Sequence, residues 1–110
     1  MLPASLLREV VVVETPLERR NDLGEVVFVE WRPVATRRAS VESTAYAEEL
    51  KVRRSAATAT WAVRMRYMEG LRSDMRLRWQ SRGNRILSIA SIVERGHREE
   101  HEIEAEEVVT

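Results

Sequence analysis

The chain has 110 residues, the size of one domain, with room for a modest core. Lys+Arg and Asp+Glu both number 18, so the formal charge is zero and gives no argument for nucleic acid or membrane. There are no cysteines, which excludes a disulfide framework, thiol catalysis and cysteine-based zinc sites.

The opening "MLPASLLREVVVVE" lacks a charged n-region and a long apolar run. Its apolar block, Val10–Val13, is far too short to span a bilayer, so a soluble, cytosolic chain is the expectation. "LREVVVVE" (Leu7–Glu14) is a β-branched run suited to a strand buried on both faces. "TPLERRNDLGE" (Thr15–Glu25) carries Pro, Asn-Asp and Gly24 and reads as a loop. "VVFVEWRPV" (Val26–Val34) reads as a second strand ended or edged by Pro33, which cannot donate to a ladder. "ATRRASVE" (Ala35–Glu42) continues as a short third strand.

Composition changes at "STAYAEELKVRRSAATA" (Ser43–Ala59), where alanine, glutamate, lysine and leucine replace β-branched residues. Ser43 or Thr44 is a candidate helix cap, with Glu48 and Glu49 near the start. The expectation is a short helix or an irregular loop. It is long for a connection in so small a domain, and long connections tend to be functional or disordered.

From Thr60 the period of two returns. Trp61, Val63, Met65 and Tyr67 share one strand face, with Arg64 and Arg66 on the other. After a turn at Gly70, Met75, Leu77 and Trp79 face one way and Arg76 and Arg78 the other, which reads as a hairpin. "SRGN" (Ser81–Asn84) is a tight-turn signal. "RILSIASIVE" (Arg85–Glu94) is the strongest strand pattern. "EEHEIEAEEVV" (Glu99–Val109) closes with glutamates at 100, 102, 104 and 106 on one face. No internal repeat interrupts this order. The fold expected is all-β: one domain over residues 1–110, a small antiparallel β-barrel or sandwich of about six or seven strands, with 43–59 as an inserted loop or helix.

Few residues suggest catalysis. "HREEH" (His97–His101) fits the H-x-x-E-H zinc pattern, but that chemistry needs a helix, where residues four apart lie about 6 Å apart along the axis. In a strand the two histidines would stand about 13 Å apart, and no third ligand is evident. There is no G-x-S-x-G, no glycine-rich phosphate loop and no nucleophile beside an evident base. The reading is a non-enzyme without cofactor or metal.

Trp31, Trp61 and Trp79 are candidate stacking platforms for bases, although Trp61 and Trp79 fall on the apolar phase of their strands, which favours the core or an interface. The arginines allow two readings. One is a basic face that follows a phosphate backbone. The other is a cross-strand ladder of Arg64, Arg66, Arg76 and Arg78 opposite Glu100, Glu102, Glu104 and Glu106, within one subunit or across two, at about 0.2–1 kcal/mol per pair. The neutral total favours the ladder.

Taken in order, four stretches resemble the phage head–tail joining family, also called head-closure, head-completion or stopper proteins. They are "LREVVVVETP", "NDLGEVVFVEWRPVA", "AATATWAVRMRYMEGLRSDMRLRW" and "NRILSIASIVERGHREEHEIEAEE". The third is the most telling, with an Ala-Thr run, Arg-x-Arg-Tyr, a Gly turn and Asp-Met-Arg. One departure stands out: Arg38 precedes Ala39 where the family often has Trp-Ala. The family includes prophage and gene transfer agent relatives. The resemblance implies a β-barrel that assembles as a hexameric or dodecameric ring at the virion neck, after synthesis in the bacterial cytoplasm. The ring would sit between portal or adaptor and tail terminator or tail-completion protein, close the DNA-filled head and dock the tail.

It also implies that the segment after the third strand, here Ser43–Ala59, reaches into the channel. Lys51, Arg53 and Arg54 would then meet double-stranded DNA without sequence specificity. Arg64, Arg66, Arg76, Arg78, Glu102 and Glu104 become candidates for ring or protein contacts. Two other functions stay open: a tail-completion or terminator ring protein, and a monomeric barrel that binds single-stranded nucleic acid.

Overall fold

Period-two patterning produces strands that close on themselves. The computed structural model describes residues 2–44 and 58–108. Within them run β1 (Glu9–Arg20), β2 (Val26–Ser43), β3 (Thr58–Arg66), β4 (Arg76–Trp79), β5 (Arg85–Arg95) and β6 (Glu100–Val108). All pairings are antiparallel. The strands form a closed barrel in the order β1-β2-β3-β6-β5-β4. The expected all-β barrel is therefore what the chain forms.

Alternation decides what the barrel contains. Val11 and Val13 from β1, Val63 and Met65 from β3, Leu77 from β4, Leu87 from β5 and Ile103 from β6 are fully buried and meet in one core. Met68, Met75 and Leu71, from the β3–β4 connection, join this core, as does Ile92 of β5. Val12 points the other way and is also buried, so the valine run is covered on both sides as its composition suggested. On β6, residues 101, 103, 105 and 107 are buried, while Glu102, Glu104 and Glu106 point outward.

Three expectations need correction. Thr15–Glu25 is not one loop: β1 continues to Arg20, and only Asn21–Glu25 turns. There the Asn21 Oδ1 accepts the N–H groups of Leu23 and Glu25, each at 3.0 Å, and Gly24 takes a left-handed φ of 81°. The second and third strands are one strand of 18 residues. Val13 faces Ala35 and Glu14 faces Pro33, which leaves Val34 as an extra residue in a bulge. β2 meets β3 only over Ala39–Ser43, so Pro33 lies on an open edge where its missing N–H breaks no ladder. Finally, β3 and β4 are not a hairpin. β3 pairs with β2 and β6, and β4 with β1 and β5. The helix considered for Ser43–Ala59 falls, apart from its ends, outside the described residues.

Candidate interaction surfaces

The hydrogen-bonding reach of each strand determines which surfaces are free. β1 pairs with β4 only over Val11–Glu14, and β2 pairs with β3 only over Ala39–Ser43. Thr15–Arg20 and Val26–Arg32 therefore pair with each other alone and form a two-stranded arm beyond the barrel wall. Its apolar residues have no core to enter. Leu23 is 83% exposed and Phe28 56%, and Val26, Val27 and Val29 are also exposed. Arg19 bonds Glu30 at 2.8 Å and Arg20 bonds Glu18 at 2.6 Å. Arg32 has no ion pair among the described residues. Sequence reasoning missed this surface, because "VVFVEWRPV" reads as a second strand with nothing local to say that it outruns its neighbours. The available signal was length: residues 9–43 supply far more strand than the short β4 can face.

The candidate arginines separate into two groups. Arg64 faces Glu102 and Arg66 faces Glu100 across β3 and β6, and Arg64 Nη2 donates to Glu100 Oε1 at 3.2 Å. Arg95 of β5 pairs with Glu102. Arg76 and Arg78 instead meet Glu14 of β1, at 2.8 and 3.4 Å, because β4 lies beside β1 rather than β6. The Arg76 guanidinium also lies 4.3 Å from the Trp31 ring centre, a cation–π contact. Further along β6 compensation runs out. Among the described residues Glu104 accepts only the Ser91 hydroxyl, at 3.4 Å. Glu106 stands between Thr60 and Ser88, with no cation beside it among the described residues.

The tryptophans plug one end of the barrel. Trp61 and Trp79 meet edge to face, with centroids 5.0 Å apart. Arg85 lies 5.3 and 5.0 Å from the two ring centres. Its guanidinium forks onto the buried Glu107 at 2.6 and 2.5 Å, and Trp61 Nε1 donates to the same carboxylate at 3.2 Å. Trp79 Nε1 donates to Glu9 at 2.8 Å. That bond, with others from Ser81 and Arg82, outweighs burial and holds the Glu9 carboxyl below its ordinary range. Hydrogen bonding to Glu107 raises Arg85 above its ordinary value. With Arg85 over both rings and each indole N–H bonded, Trp61 and Trp79 do not form an open platform for bases.

The H-x-x-E-H stretch is not helical. His97 is exposed in the β5–β6 turn, whereas His101 is buried on β6. His101 Nδ1 accepts the Met68 N–H at 3.4 Å, and its ring lies 4.8 Å from that of Tyr67. Desolvation pushes the imidazole below its ordinary value, with Glu94 pulling weakly the other way. Among the described residues no group of three or more His, Cys, Asp or Glu is placed to hold a metal. Lys51, Arg53 and Arg54, the candidate DNA contacts, lie outside the described residues.

The fold recurs in solved structures. A solution structure of a protein from Shigella flexneri 2a superposes with a TM-score of 0.70 at 22% identity, covering 96% of each chain. A chain from the virion of a native gene transfer agent particle gives 0.65 at 18% identity, covering 93% of this chain and 96% of that one. No curated protein matches. The family model described as phage head completion protein matches residues 2–108. The chain thus belongs to the phage head completion protein family, and its role is a structural one in the virion's head–tail region.

Proposed function

We propose that this chain is a ring-forming head-closure connector. It would sit at the virion neck between portal or adaptor and tail, retain packaged DNA in the head and present a docking surface to the tail proteins. Family membership supports the head-completion role. The observation that carries the connector reading is the arm. A lone chain leaves Val26–Val29 and Leu23 in water, and contiguous apolar surface of this kind marks protein–protein contact. The barrel behind it is closed around one buried core, which suits a rigid spacer. Lys51, Arg53 and Arg54 are assigned to phosphate contact in the channel, which would be blind to sequence and weakened by salt.

Electron microscopy of the portal–adaptor complex with this chain tests the reading. A ring capping the DNA exit is the expected result, and binding elsewhere or as single copies refutes it. Deleting Lys51–Ala56 tests the DNA contact separately. Heads carrying the deletion should lose DNA; heads that keep it as well as wild type would leave the connector standing and remove the gate.

A further inference from the structure

We propose that copies of this chain associate head to tail, the β1–β2 arm of one copy lying in the shallow cleft over β3, β6 and β5 of the next. The inference rests on the connector reading and names the contact that builds the ring. The strand order β1-β2-β3-β6-β5-β4 places β1 and β2 across the barrel from β6 and β5. The arm therefore leaves one side of the molecule and the cleft opens on the opposite side. The cleft, of about 250 Å³, is lined by Ala62, Ser91, Val93 and Glu104 among others. Val93 is 47% exposed there.

The chemistry of the two sides is complementary. The arm offers Phe28 on the same strand face as Arg32, a cation with no ion pair among the described residues. The cleft offers Val93 and Ala62 beside Glu104, and Glu106 follows two residues along the strand. Among the described residues these two carboxylates face only hydroxyl and methyl groups on β3 and β5. The other end of the same outer wall is already neutralised by Arg64 with Glu100 and Arg95 with Glu102. A two-stranded hairpin is marginal in water by itself, so covering its apolar residues stabilises the arm as well as the contact. Different surfaces on opposite sides make a heterologous contact, which repeats into a ring when the rotation closes. Arm-to-arm pairing would leave Glu104 and Glu106 uncompensated.

The absence of cysteine makes the test clean. Particles are assembled with Phe28→Cys and Val93→Cys in one chain and treated with a short bismaleimide. The expected product is a ladder extending past the dimer, absent from either single variant. Adding Arg32→Glu or Glu104→Arg to that background should each weaken the ladder, and adding both should restore it. Chain present in the particles without a ladder overturns the contact but leaves the connector reading intact. So does Phe28→Cys alone cross-linking to its own copy or to a different virion protein. Absence of the wild-type chain from the particles removes the connector reading, and this contact with it.

Discussion

Replacing Arg85 by methionine should destabilise the chain by about 2–3 kcal/mol. The Glu107 side chain is only 8% exposed, and the Arg85 fork supplies two of its hydrogen bonds. Removing one partner of a fully buried pair costs about 3–5 kcal/mol, because the other charge stays buried and uncompensated. Arg85 is itself 40% exposed, so solvent screens part of the pair, and Trp61 Nε1 still reaches the carboxylate. Both lower the figure to the value given. At about 4–8 °C per kcal/mol for a domain near this size, the midpoint of thermal unfolding should fall by about 10–20 °C. Glu107→Gln in the Arg85→Met background should recover part of the loss, with a coupling of about 1–3 kcal/mol. Arg82→Met is the control. Arg82 is 63% exposed and its partner Glu9 keeps Trp79, so the change should cost less than about 1 kcal/mol. Circular dichroism melts of wild type, Arg85→Met, Glu107→Gln, the double variant and Arg82→Met decide the matter. Arg85→Met within about 0.5 kcal/mol of wild type would refute the reasoning.

Three further outcomes are expected. Burial lowers the His101 pKa in the folded chain, so its contribution to stability is present above the unfolded value of 6.5 and lost as pH falls through the lower folded value. Urea midpoints between pH 8 and 5 should show this loss, and a slope unchanged in His101→Gln would refute it. Leu87→Ala opens the centre of a fully buried core and should cost about 2–5 kcal/mol in urea unfolding; a loss under about 1 kcal/mol would mean the site collapses freely. Asn21→Ala removes both side-chain bonds that form the arm's turn, at about 1 kcal/mol each. Hydrogen exchange should quicken in the arm while β3 and β6 stay protected; equal quickening throughout would show that arm and barrel open together.

Much of the barrel was legible because local pattern and final environment agree. Val63, Met65, Leu77 and Ile103 alternate with polar residues in the sequence and point into the core. Trp61 and Trp79 also keep the apolar phase expected of them. Connectivity was not legible. The pairing of Arg76 and Arg78 with Glu14 spans more than sixty residues, and nothing in a period of two says which strands become neighbours. The loop expected at Thr15–Glu25 failed because Pro16 sits in a strand that lacks a second neighbour at that point. The same lack of a second neighbour exposes Phe28 and hid the arm. The arginine ladder was legible for Arg64, which bonds Glu100 on the acidic closing strand, whereas Arg66 shares that register without an ion pair among the described residues.

Ser43 on β2 faces Trp61 on β3, so the chain leaves and rejoins the barrel at one place on its rim. Such a junction fixes the separation of the two ends whatever runs between them. Each doubling of the intervening length then costs only about 0.6 kcal/mol in closure entropy. The span from 44 to 57 can therefore change in length and charge without being felt by the core. A single barrel of this design can carry spans of different length at that rim without a change of strand register.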